Sequence, residues 1–136
     1  MVCLFCRIIS GDAPSHMIYE DQDVVSFLDI LPANLGHALV LPRAHYESVS
    51  EVPGREMEKL ARAIQKVAGA IKAAYNLEGL NLLLNEGKVA GQLIPHLHVH
   101  VIPRYANDGV ATPSGAMRAS DEELERAREL IRSHLK

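Results

Sequence analysis

Residues 95–104 read PHLHVHVIPR, in which His96, His98 and His100 alternate with Leu97, Val99 and Val101. Imidazole, with an ordinary pKa of about 6.5, serves near neutral pH as nucleophile, acid, base or metal ligand. Successive side chains on a strand point to opposite faces, so this spacing puts all three imidazoles on one side and the aliphatic residues on the other. The aliphatic side should pack on a helix and the imidazole side should face a cleft or solvent. A merely solvated face draws Lys, Glu or Thr rather than three histidines. Neighbouring histidines would stand about 6.6 Å apart and the outer two about 13 Å apart, so two can share a metal but three cannot easily do so. The other chemistry is nucleophilic: one neutral ring attacks through a free nitrogen while its second nitrogen donates to a fixed carbonyl or ring. Flanking imidazoles then bind an anion or protonate a leaving group.

The preceding loop, NEGKVAGQ at 85–92, favours the nucleophilic reading. Gly87 and Gly91 permit turns and close backbone approach to a ligand. Asn85 and Gln92 add amide side chains, and the backbone N–H groups of such a loop suit a phosphate. A second chemical feature is the pair Cys3 and Cys6, in CLFC. A redox disulfide would want this pair after a strand and at the start of a longer helix. Free thiols and half of a zinc site are the remaining readings, and zinc needs two further ligands from distant sequence.

The elements that must position these groups are visible in the pattern. The 136 residues, 48% hydrophobic and 23% charged, suit one domain over 1–136 with its own core. A net charge of -3 argues against a general nucleic-acid surface, though not against a small anionic ligand. No apolar run is long enough to cross a bilayer and no leader follows Met1, so a cytoplasmic chain is expected. Residues 4–9 predict a short helix before the break at Gly11–Pro14. MIYED (17–21) and VVSFLDI (24–30) read as a hairpin about Gln22, and GHALVLPR (36–43) as a third strand ended by Pro42. Met57, Leu60, Ala61, Ile64, Val67, Ala68 and Ile71 recur at helical spacing and predict a helix over 53–75. LNLLLNE (80–86) and LIPHLHVHVIPR (93–104) read as two strands joined by the loop 87–92. Past Pro103 the chain is irregular until Ser120, which with Glu123 forms a capping-box signature opening a helix over 121–135. Strands before and after one long helix suggest an α+β fold with an antiparallel sheet.

HLHVHVI at 96–102 resembles the signature of the histidine-triad (HIT) family, three histidines alternating with apolar residues. CLFCRIISGDAPSHMIYEDQDVVSFLDILPANLGHALVLPRAHYESV at 3–49 resembles the N-terminal half of the family's Hint-like prokaryotic members, and NEGKVAGQ is similar to their phosphate loop. The tail beyond 105 matches little apart from a generic helix. The resemblance implies a five-stranded antiparallel sheet with one long helix and short terminal helices, usually dimerised. It also implies transfer or hydrolysis of nucleotides at the α-phosphate. His98 becomes the nucleophile of a nucleotidyl-histidine intermediate, flanked by His96 and His100, with His100 near the leaving group or a phosphate oxygen. His37 matches a further histidine kept near the triad. Asn85, Gly91 and Gln92 match phosphate-contacting positions, and Asp29 the position that binds the ribose hydroxyls. Leu4, Phe5, Ile8, Phe27 and Ile30 match walls around the base; ordinary core is the competing reading for Ile8 and Phe27.

Leu93 departs from the pattern, standing where many relatives carry a hydroxyl that bonds the phosphate or leaving group. Relatives with the same cysteine pair bind zinc with two histidines that correspond here to His45 and His96, which implies a structural zinc on Cys3, Cys6, His45 and His96. Four protein ligands leave no open position for water, so a zinc hydrolase is excluded on ligand count. His16 and His134 match nothing and are expected to be exposed. The implied activity is hydrolysis of a purine nucleoside 5′-phosphoramidate, with a dinucleoside polyphosphate hydrolase as the alternative. A nucleotide-binding regulatory protein with vestigial activity is a third reading, opposed by the intact set His37, His96, His98 and His100.

Overall fold

The computed structural model describes residues 3–111, 115 and 117–135; residues 1, 2, 112–114, 116 and 136 of the expected 1–136 unit lie outside the described residues. Helix α1 (Leu4–Ser10) stops at Gly11, whose φ of 86° lets its N–H cap the Arg7 and Ile8 carbonyls. Strands β1 (Met17–Glu20) and β2 (Val24–Leu28) form the expected hairpin. Its turn is held by Asp21, whose Oδ1 accepts the N–H groups of Asp23 and Val24, each at 2.8 Å. β3 (Ala38–Pro42) follows, then the long helix α2 (Gly54–Tyr75), β4 (Gly79–Leu84), β5 (Val99–Arg104) and α3 (Asp121–Arg132). All five strands form one antiparallel sheet in the order β1-β2-β3-β5-β4. The fold is therefore the α+β arrangement expected. Among the described residues no helix is long and apolar enough to cross a membrane.

Strand alternation divides the apolar residues between two faces. Val24, Leu28, Ala38, Val40, Leu97, Val99 and Val101 pack against Leu60, Ala63, Val67, Ala70 and Ile71 of α2 and Leu124, Ala127 and Ile131 of α3. The opposite face carries Val25, Phe27, Leu39 and Leu41, clustered with Phe5 of α1. The capping box of α3 forms as read: Ser120 Oγ accepts the Glu123 N–H and Glu123 Oε1 accepts the Ser120 N–H, both at 3.0 Å.

Two expectations need correction and a third is narrowed. The histidine strand, read from Leu93, begins at Val99. Pro95 has no N–H for a ladder, and the Leu97 N–H donates instead to the Tyr46 carbonyl at 2.7 Å. The alternation nevertheless persists before the strand begins, because Leu97 is fully buried in the α2 core. Of the two surroundings expected for the imidazole face, cleft or solvent, solvent is excluded, because His96, His98 and His100 are all buried. Finally, His16 is half-buried rather than exposed, with Nδ1 3.3 Å from Glu125 and Nε2 3.7 Å from Asp121 of α3. His134 is exposed as expected.

Candidate active site and metal cluster

His98 sits where the chain joins β5, and its surroundings define its proton. Its Nδ1–H donates to the His96 carbonyl at 2.7 Å, which leaves the Nε2 lone pair free. The Phe5 ring packs edge-on against it with centroids 5.1 Å apart. Burial pushes its pKa below the ordinary histidine value, so the ring is neutral at pH 7.

His100 receives its proton arrangement from the loop that precedes β3. The Ala33 N–H donates to His37 Nδ1 at 3.0 Å, so the His37 proton is on Nε2. That Nε2–H donates to His100 Nδ1 at 2.9 Å, which leaves the His100 proton on its own Nε2. Burial, then the neighbouring imidazoles, push His37 down to about 3 and His100 to about 4. Asp29 Oδ2 lies 3.6 Å from His37 Nε2, while Asp29 Oδ1 accepts the Leu31 N–H at 2.9 Å. Burial raises the Asp29 carboxyl above the usual carboxylate range. Together the rings present an unprotonated nitrogen on His98 beside a protonated one on His100, with ring centroids 5.0 Å apart.

Cys3, Cys6, His45 and His96 form a second cluster, their ligand atoms all within 4.8 Å of one another. In a tetrahedron, zinc–sulfur bonds of about 2.3 Å and zinc–nitrogen bonds of about 2.0–2.1 Å set sulfur-to-nitrogen edges of about 3.6 Å. The edges here are 3.6 Å for Cys3–His96, 3.4 Å for Cys6–His45 and 3.6 Å for Cys6–His96. The His96 Nε2–H donates to the Pro42 carbonyl at 2.8 Å, which fixes the ring and turns the Nδ1 lone pair toward the thiols. The donor set and its spacing fit a closed tetrahedral zinc site.

The remaining expected residues divide into two groups. Gly91 has φ 99°, and a Cβ there would stand 3.2 Å from Asn85 Nδ2, so these two positions adjoin. Gln92 is buried, its Oε1 accepting the Gly87 N–H of its own loop at 2.8 Å and its Nε2 donating to the Glu47 carbonyl outside it at 3.2 Å. Phe5 and Phe27 pack edge-to-face at 5.3 Å with Ile8 partly buried beside them, whereas Leu4 (46%) and Ile30 (45%) are open to solvent. Leu93 is 79% exposed. Sequence reasoning missed Ala33, whose backbone N–H sets the His37 tautomer, and the group Asn34, Arg104 and Asp108 behind it. Asn107, Asp108 and Gly109 carry only an ordinary turn signal.

The sequence profile of the HIT domain matches residues 10–107. The chain is 41% identical over 120 residues to an uncharacterised HIT-like protein of Methanocaldococcus jannaschii, covering 88% of this chain and 92% of that protein. It is 35% identical over 136 residues to an adenylylsulfatase of Arabidopsis thaliana, covering 98% of this chain and 69% of that protein. The crystal structure of a zinc-bound histidine triad family protein from Mycobacterium smegmatis superposes with a TM-score of 0.85 at 35% identity, covering 99% of this chain and 94% of that one. With three buried histidines alternating into β5 of a five-stranded sheet and a profile match over most of its length, the chain belongs to the HIT domain family.

Proposed function

We propose that this protein hydrolyses a purine nucleoside 5′-phosphoramidate through a nucleotidyl-His98 intermediate. The observation that carries the reading is the proton on His98: its Nδ1–H is held by the His96 carbonyl, so Nε2 is the nucleophile. In the first step that lone pair attacks the α-phosphorus and the bond from phosphorus to the leaving amine breaks. The electron pair departs with the amine, which takes its proton from solvent while the His100 Nε2–H hydrogen-bonds the departing nitrogen. The nucleotidylated His98 ring is cationic, and its Nδ1–H to the carbonyl becomes a charge-assisted bond. Water then attacks the same phosphorus, the bond to His98 breaks, the water's proton passes to solvent and the nucleoside monophosphate leaves.

Asp29 is assigned to the ribose hydroxyls, Asn85, Gly91 and Gln92 to the phosphate, and Leu4, Phe5, Ile8, Phe27 and Ile30 to the base. The choice of an amine leaving group rests on Leu93, an aliphatic residue that supplies no proton, so a leaving group that solvent protonates readily is favoured, with His100 as its hydrogen-bond donor. The likeness to the Arabidopsis adenylylsulfatase makes adenylyl sulfate the second substrate to test. Cys3, Cys6, His45 and His96 would hold zinc, a closed structural centre that ties α1 to the histidine segment and holds His96 in place. The reading includes a cytoplasmic homodimer, supported by the edge strand β4, where Leu82 is 53% exposed.

Incubating the protein with adenosine 5′-phosphoramidate, adenylyl sulfate and a diadenosine polyphosphate, with products resolved by chromatography, tests the assignment. AMP should form fastest from the phosphoramidate. AMP from none of the three would remove the hydrolase reading, and faster release from either of the others would replace the substrate class.

A further inference from the structure

After β5 the chain turns back through YANDGVA, residues 105–111. Asn107 and Gly109 both take positive φ, 59° and 69°, a conformation that asparagine and glycine adopt more readily than other residues. Between them the Asp108 side chain is turned inward and is only 7% exposed. Its Oδ2 accepts Arg104 Nε–H at 2.9 Å and the Tyr105 N–H at 3.0 Å. Its Oδ1 accepts Arg104 Nη2–H at 2.9 Å and the Val110 N–H at 3.0 Å. Those bonds close the turn by themselves. A further donor comes from a different part of the chain: Asn34 Nδ2–H reaches Asp108 Oδ2 at 3.1 Å and the Pro103 carbonyl at 2.8 Å.

Asn34 lies inside the loop that wraps His37. Its carbonyl accepts the His37 N–H at 3.1 Å, and the residue before it, Ala33, donates its N–H to His37 Nδ1 at 3.0 Å. Removing that second bond would leave the two nitrogens of His37 without a fixed assignment of donor and acceptor. The His37–His100 contact at 2.9 Å would then no longer fix the His100 proton on Nε2. Resting on the hydrolase reading above, we propose that Asp108 is a positioning residue for His37 and His100. Its carboxylate holds Asn34, Asn34 holds the 33–37 loop around the imidazole, and the loop keeps the His100 proton directed to the leaving group.

Two variants test this, Asp108→Ala and Asn34→Ala, the second of which leaves the Arg104–Asp108 turn intact if the first does not fold. Imidazole nitrogen–proton correlation spectra of the free protein read the tautomers without any substrate. The unmodified chain should show Nε2–H forms of both His37 and His100, and each folded variant a mixture at both rings. For adenosine 5′-phosphoramidate, kcat should fall about tenfold or more with KM changed less than about twofold, because the hydrogen-bond donor aimed at the departing nitrogen is no longer fixed. A merely structural brace would lower the melting temperature and leave tautomers and kcat alone; that result in Asn34→Ala overturns the proposal. Lack of turnover by the unmodified chain would instead sink the hydrolase reading, and the spectra would still decide whether Asp108 positions the pair.

Discussion

Folding stability should fall steeply as the pH drops below the ordinary histidine range, because the native state holds His37 and His100 neutral. Both rings are buried, and their pKa values are depressed to about 3 and about 4. In the unfolded chain each returns to about 6.5. Below that pH the unfolded chain binds two protons that the folded chain refuses, so stability is full above about pH 6.5 and is lost as the pH falls toward the folded values. At about pH 5 each histidine is about 1.5 units below its unfolded pKa, which removes about 2 kcal/mol per ring relative to pH 8. Urea unfolding at the two pH values measures the loss. The informative quantity is the difference between the unmodified chain and His37→Gln, since the metal-cluster histidines contribute equally to both. The substitution should shrink the pH-dependent loss by about 2 kcal/mol even where it lowers stability at every pH. An unchanged loss in His37→Gln would refute the claim that burial keeps this ring unprotonated.

Gently purified protein should contain one zinc per chain, and Cys3→Ser should lower both the zinc content and the melting temperature, because metal binding is linked to folding; metal-free protein with an unchanged melting temperature contradicts the cluster assignment. Asp29 should favour ribose over deoxyribose nucleotides by about 1–3 kcal/mol, the cost of leaving a buried acceptor unpaired, and equal kcat/KM for the two sugars rejects that role. Sedimentation at micromolar concentration should give a dimer that Leu82→Lys dissociates, and a monomeric parent chain removes the homodimer.

What the sequence made legible was mostly local. The Ser120–Glu123 capping box, which lies within one turn of chain, formed as read, and the α2 face buried Leu60, Val67 and Ile71 as spaced, although Ala61 is exposed and Ala63 and Ala70 are buried instead. The shared face of the histidines follows from alternation alone. Their burial does not, because the cover comes from α1, through Phe5, and from the loop before His37. The start of β5 was misplaced because the Leu97 N–H is taken by Tyr46, a residue far away in sequence. Cys3 and Cys6 by themselves left free thiols and half of a zinc site both open. His45 and His96 joined them only through the family resemblance, and the fold brings all four within reach. The Asn34–Asp108 bond was invisible: each residue reads as turn material, and only tertiary structure puts them 3.1 Å apart.

The claim on which the account turns is that His98 Nε2 attacks the α-phosphorus. The most direct measurement is peptide mapping by mass spectrometry after rapid, acid-free quenching of the protein with a slowly hydrolysed adenosine 5′-phosphoramidate. An adenylyl group should appear on the peptide containing His98, located on that ring by fragmentation and lost on chasing with water. An adenylyl group on another residue, or steady turnover with none on His98, would contradict it.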